Sequence, residues 1–248
     1  MIPEHELVEW LDPYQKSPGY FDGYDPYAAW WQSGDTLSNI HQSELQVVET
    51  EGLEWGSYSG HNNEYLSAFS EKFTTGTPKV LFGVLLNVAQ NKPTDLRSQL
   101  TLQVYQGADH LEVLVHEQKV YLADLAPGIN LIKLDSAVTC ERTFFAGYRI
   151  DYDAEPDTFA VFMACTAEED TVNSAFVFDG VEWKSLSEYT GGMFNTSFAV
   201  FPLVHDSKPE MPEKPEPDSH VKLYPNPAKH IIQVIFDDFT NDPVQLHI

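Results

Sequence analysis

From Tyr65 onward the chain is a succession of short runs rich in β-branched and aromatic residues, each closed by a turn signal. The runs span residues 65–73, 79–88, 100–105, 111–116, 120–122, 129–134, 144–152, 159–164, 175–178 and 197–204. Alternation is clearest in the run from Phe144, where Phe144, Ala146, Tyr148, Ile150 and Tyr152 share one face of a strand. Turn signals stand between the runs: Gln106-Gly107-Ala108-Asp109, Ala126-Pro127-Gly128, Ala154-Glu155-Pro156-Asp157 and Asp179-Gly180. The residues Gln90-Asn91-Lys92-Pro93-Thr94-Asp95 form a polar break, and Gly60-His61-Asn62-Asn63 a tight turn. No amphipathic helical period intervenes. Many short strands at such spacing predict an all-β fold, an antiparallel β-sandwich of jelly-roll-like topology, over residues 26–204.

Residues 1–25 read as a linker or the end of an upstream domain, because Pro13, Pro18 and Pro26 interrupt any long element. Residues 205–220 carry mixed charge and four prolines, Pro209, Pro212, Pro215 and Pro217. Proline fixes φ and removes donors, so this stretch predicts an extended spacer and a domain boundary. Alternating apolar residues resume at Ile231, Ile232, Val234, Ile235 and Phe236.

Net charge is −24, from 14 Lys+Arg against 38 Asp+Glu. A nucleic-acid partner needs a basic footprint to displace counterions, so this balance excludes that class. It also disfavours anionic lipid surfaces, and no apolar run approaches the roughly 18–20 residues that span a bilayer. Met1-Ile2-Pro3-Glu4-His5-Glu6 lacks the basic and apolar regions of a signal peptide.

The segment Leu223-Tyr224-Pro225-Asn226-Pro227-Ala228, placed after the spacer and before alternating apolar residues, resembles the opening of the C-terminal sorting domain of Bacteroidetes type IX secretion substrates. The resemblance covers residues 221–248, the first part of such a domain. It implies recognition by the type IX export machinery and a location outside the cell or on the outer-membrane surface. With no signal peptide at its start, the chain reads as the C-terminal part of a larger precursor.

Catalytic motifs begin and then fail. His116-Glu117-Gln118-Lys119-Val120 has valine where the H-E-x-x-H zinc motif needs its second histidine. Gly56-Ser57-Tyr58-Ser59-Gly60 has tyrosine where a nucleophile elbow needs serine. The expectation is a protein that is not an enzyme. Cys140 and Cys165 lie too far out of step for a disulfide if residues 144–152 and 159–165 form a hairpin that sets Cys165 opposite Ala146. Two free buried thiols follow.

Two binding chemistries compete with plain solvated surface. Asp151, Asp153 and Asp157 place carboxylates at spaced positions near a turn, a pattern compatible with calcium, which takes oxygen ligands. Tyr24, Tyr27, Trp30 and Trp31 form an aromatic cluster beside Asp22 and Asp25, suited to stacking on a glycan or meeting a host or matrix protein. The three-residue sequences Asp35-Thr36-Leu37, Asp135-Ser136-Ala137 and Asp170-Thr171-Val172 have the form of O-glycosylation sites found in that bacterial group. The functional expectation is a noncatalytic binding module. Its rival is a structural spacer that carries an upstream enzyme or adhesin.

Overall fold

The structure, a computed structural model, describes residues 34–40, 45–47, 56–152, 157–164 and 173–207. The chain divides into two compact units, Met1–Glu210 and Met211–Ile248, and the described residues belong to the first. The strands are β1 (Asp35–Thr36), β2 (Leu45–Gln46), β3 (Ala68–Thr74), β4 (Lys79–Lys92), β5 (Gln99–Gln106), β6 (Val113–Tyr121) and β7 (Gly128–Cys140). They continue with β8 (Thr143–Ile150), β9 (Thr158–Val161), β10 (Met163–Ala164), β11 (Ala175–Phe178), β12 (Trp183–Ser185) and β13 (Val200–His205). The helical turn α1 (Leu186–Tyr189) is closed by a capping box between Ser185 and Glu188.

The architecture is an antiparallel sandwich. A five-stranded sheet runs β1-β13-β4-β7, with β9 also paired to β4. A six-stranded sheet runs β12-β11-β3-β8-β5-β6, and β10 pairs with β2. The chain crosses between the two large sheets repeatedly, which makes the topology jelly-roll-like.

Their inner faces share one apolar core. Phe69 stacks on Tyr148 at 5.4 Å and meets Phe198 edge-on at 6.0 Å, while Phe73 stacks on Phe144 at 5.5 Å. Phe144, Ala146, Tyr148 and Ile150 are all buried, as their alternation requires. Trp183 packs at the β11–β12 hairpin, against Tyr105 and Phe178.

Three sequence expectations need correction. The polar break begins later than predicted: β4 runs through Gln90 and Asn91 because β9 supplies a ladder to that end, Asn91↔Phe159 included. The runs 111–116 and 120–122 are one strand, β6, held by continuous pairing to β5. Residues 144–152 and 159–165 do not form a hairpin. β8 lies between β3 and β5, so Ala146 faces Glu71 and Val104, and β9 lies in the other sheet. Cys140 is free and buried, whereas Cys165 lies outside the described residues.

The side between β6 and β7 is closed by a side chain. Residues 134–137 of β7 bulge out opposite Phe82, since Leu81 pairs with Val138 and Gly83 with Lys133. There Gln118 of β6 donates to the Lys133 carbonyl at 3.0 Å and accepts from the Asp135 amide at 2.8 Å. It offers β7 the two partners a neighbouring backbone would. Gln118→Ala should therefore lower stability by about 1–2 kcal/mol, read as a lower urea midpoint at unchanged m-value.

Candidate functional site

At one end of the sandwich the loop of residues 56–66 lies along β9. Gly60 and Ala160 form a β-bridge, and a Cβ on Gly60 would come within 2.0 Å of the Phe159 carbonyl oxygen. Only glycine permits that approach. His61 N donates to Phe159 O at 2.9 Å, Val161 N to Ser59 O at 3.1 Å, and Ser59 Oγ to Val161 O at 2.6 Å. From the core, the Tyr148 hydroxyl donates to Ser59 O at 2.7 Å.

Asn62 organises the loop from inside. Its Nδ2 donates to Ser57 O at 3.3 Å and Gly60 O at 2.9 Å; its Oδ1 accepts from Glu64 N at 3.0 Å and Leu66 N at 3.3 Å. Its amide N donates to the Tyr152 hydroxyl at 3.1 Å, which passes a bond on to Leu66 O at 2.8 Å. Asparagine is the residue whose side chain can both give and accept in this way.

His61 is locked in one tautomer. Nδ1 accepts from Phe159 N at 3.2 Å, so the proton sits on Nε2, which donates to Asp151 O at 3.1 Å. Burial pushes its pKa below the ordinary 6.5 despite the nearby carbonyls and carboxylates. The ring is neutral and both nitrogens are committed.

The apex of this rigid loop is Tyr65. It has φ +59°, the only positive φ on a non-glycine among the described residues, and its side chain is 65% exposed. Its ring lies 5.3 Å from that of Tyr152, which meets His61 edge-on at 5.1 Å. The three rings form a ladder from interior to surface. The next flank is fixed as well: the Tyr189 hydroxyl of α1 donates to the Glu64 carboxylate, and Phe194 packs on Tyr58 at 5.3 Å.

Of the sequence-predicted residues, Tyr24, Tyr27, Trp30, Trp31, Asp22, Asp25 and Asp153 lie outside the described residues. Asp157 is buried, and one of its oxygens accepts from Thr94 N at 2.6 Å, Thr94 Oγ1 at 2.8 Å and Ser98 Oγ at 2.8 Å. That carboxylate fastens the β4–β5 connection. Asp151 is half-exposed and meets Arg149 at 3.8 Å. No group of three or more potential metal ligands converges among the described residues.

Sequence reasoning also missed Glu71. Alternation with Phe69 and Phe73 sets it on the inner face of β3, where it is fully buried. Its carboxylate accepts from Asn39 Nδ2 at 2.6 Å, from Phe198 N at 2.8 Å and from Ser174 Oγ, which in turn meets Ser197 Oγ at 2.7 Å. Burial raises its pKa to about 7, against the lowering influence of these donors. The Cys140 thiol is likewise pushed up to about 12 by burial. Both Glu71 and the Cys140 thiol are thus sealed inside the sandwich.

No protein-family model matches the sequence, and no curated protein matches it. In structure the chain is similar to a clostridial cysteine protease, Cwp84, in its form after propeptide cleavage, with a TM-score of 0.48 and 8% sequence identity. The match covers 71% of this chain and 41% of that one.

Proposed function

We propose that this chain is a noncatalytic binding module of a secreted or surface-displayed bacterial protein, with Tyr65 as its contact residue. The observation that carries the reading is an exposed tyrosine held in left-handed backbone conformation at the tip of a loop pinned to β9 by hydrogen bonds. Folding alone would favour glycine or asparagine there, because a Cβ at positive φ costs on the order of 1 kcal/mol. A large aromatic side chain kept at such a position, pointing into solvent, is better accounted for by what it touches than by what it packs. The sealed state of Glu71 and Cys140 and the committed nitrogens of His61 favour binding over catalysis. The sorting-domain resemblance of residues 221–248 favours export.

Tyr65→Gly tests this. If Tyr65 serves binding, the variant should melt about 2 °C higher, since relief of strain outweighs the loss of one ring contact. If Tyr65 is a packing residue, the melting temperature should fall, and the structural-spacer reading takes its place. Scanning calorimetry of both proteins decides between them.

A further inference from the structure

We propose that a cleft between the β5–β6 turn and the β7–β8 link binds a basic amino acid by its carboxylate and its side-chain cation, either free or as the C-terminal residue of a peptide. The inference goes beyond the reading of Tyr65 and stands without it. The cleft lies at the other end of the six-stranded sheet, where β5 ends and β8 begins, with Gln106 paired to Phe144. Its volume is about 420 Å³, within the range that holds small ligands. Gly107, Ala108, Glu112 and Val113 belong to one wall, Glu141 and Arg142 to the other. Backbone contacts hold both walls. Glu112 N donates to Gln106 O at 3.0 Å, and the turn can close so tightly because residue 107 is glycine: a Cβ there would come within 1.8 Å of His110 O. Arg142 O accepts from Thr75 N at 2.8 Å and from Thr75 Oγ1 at 3.2 Å. Gln106 Nε2 ties the two walls together, donating to Thr139 O at 3.0 Å.

Three charged side chains of both signs line this one opening. Among the described residues, Glu112, Glu141 and Arg142 nevertheless make no ion pair and no side-chain hydrogen bond. Their anchored backbones keep opposite charges from closing on each other. The Arg142 guanidinium offers paired donors that match a carboxylate, and no residue of the chain supplies one. The Glu112 and Glu141 carboxylates are acceptors only, and a ligand ammonium or guanidinium brings the donors they lack. Val113, 56% exposed, and the exposed Ala108 give apolar contact to the methylene stem of such a side chain. Charge decides among the alternatives. Two carboxylates against one guanidinium leave the cleft negative, and the whole chain carries −24, so dicarboxylates and phosphates are repelled. A bare cation would leave Arg142 without a partner and in repulsion. Lysine and arginine carry both signs and no net negative charge.

The test is an NMR titration of the isotope-labelled full chain with L-lysine, with cadaverine, which is lysine without its carboxylate, and with L-norleucine, which lacks the side-chain cation. Acetyl-Gly-Gly-Lys is titrated as the free acid and as the C-terminal amide. L-Lysine or the peptide acid should shift the amides of Glu112, Val113, Arg142 and Thr143 saturably. Cadaverine, norleucine and the peptide amide should bind about tenfold more weakly or not at all. Peptide acid binding at least as tightly as lysine identifies a peptide terminus as the source, and binding of lysine alone the free amino acid. Arg142→Gln should cost about tenfold in lysine affinity and leave cadaverine unchanged, while Glu112→Gln should bring lysine down to the level of norleucine. Cadaverine binding as tightly as lysine would mean a plain cation site and overturn the proposal. Equal binding of norleucine, shifts confined to other residues, or no saturable shift with either lysine or the peptide acid would overturn it as well. The ligand comparison is made on wild type, so a variant that fails to fold cannot hide any of these results.

Discussion

Glu71→Ala should destabilise the fold by about 3–5 kcal/mol, the largest effect expected of any polar substitution described above. Removing the carboxylate strands Phe198 N in the interior and takes one of two partners from Asn39 Nδ2, which keeps Lys72 O, and from Ser174 Oγ, which keeps Ser197 Oγ. These three come from different segments, so the loss is felt where β1, β11 and β13 enter the sandwich. The same residue should shape the pH profile. A carboxyl whose pKa rises from 4.5 to about 7 on folding binds more protons in the folded state over that interval. Its contribution is present in full below pH 4.5 and is lost as pH rises through about 7, a decline of about 3 kcal/mol. His61 slopes the other way: its pKa is lowered on folding, so its contribution is present above pH 6.5 and lost as pH falls. Urea midpoints of wild type and Glu71→Gln across this range separate the two. The wild-type decline toward alkaline pH should disappear in Glu71→Gln, and its persistence would mean that Glu71 is already ionised at low pH.

Asn62→Ala is the second large effect, about 3 kcal/mol, because three backbone groups lose their partners together, Gly60 O, Glu64 N and Leu66 N, while Ser57 O is left with the Gly60 amide alone. Asn62→Asp should be no better near neutral pH. It keeps an acceptor for the two amides, yet it turns a buried anion toward two carbonyl oxygens. Amide exchange at Leu66 offers a local readout beside the denaturation midpoint. If both variants match wild type, the loop is held by its bridges to β9 and Asn62 is incidental.

What could be read from the sequence was what local chemistry decides. The inward alternation from Phe144 to Ile150 and the strand Ala175–Phe178 stand as their residues suggest, because burial of one face fixes them. Partnership was not legible. Residues 90–92 look like a loop until β9 is known to pair with them, and β8 looks like half of a hairpin until β3 and β5 enclose it. Glu71 was hidden for a related reason. A charge within Ala68–Thr74 reads as solvent-facing, although its period placed it inward between Phe69 and Phe73. Tyr65 left a fainter signal. Asn62-Asn63 marks a turn, but nothing in the letters says that the left-handed position falls on the tyrosine.

The bulge at residues 134–137 of β7 has a further consequence for how the chain can change length. On either side of it the register is set independently, by Leu81 with Val138 and by Gly83 with Lys133. Asp135 and Ser136 face solvent. Residues inserted there would lengthen the protrusion without sliding either half of β7 along β4, so each side chain beyond it would keep its face. An insertion in the uninterrupted β5–β8 ladder would turn every later residue over. The seam that Gln118 closes is thus also the place where this sandwich can acquire new sequence at least cost to its core.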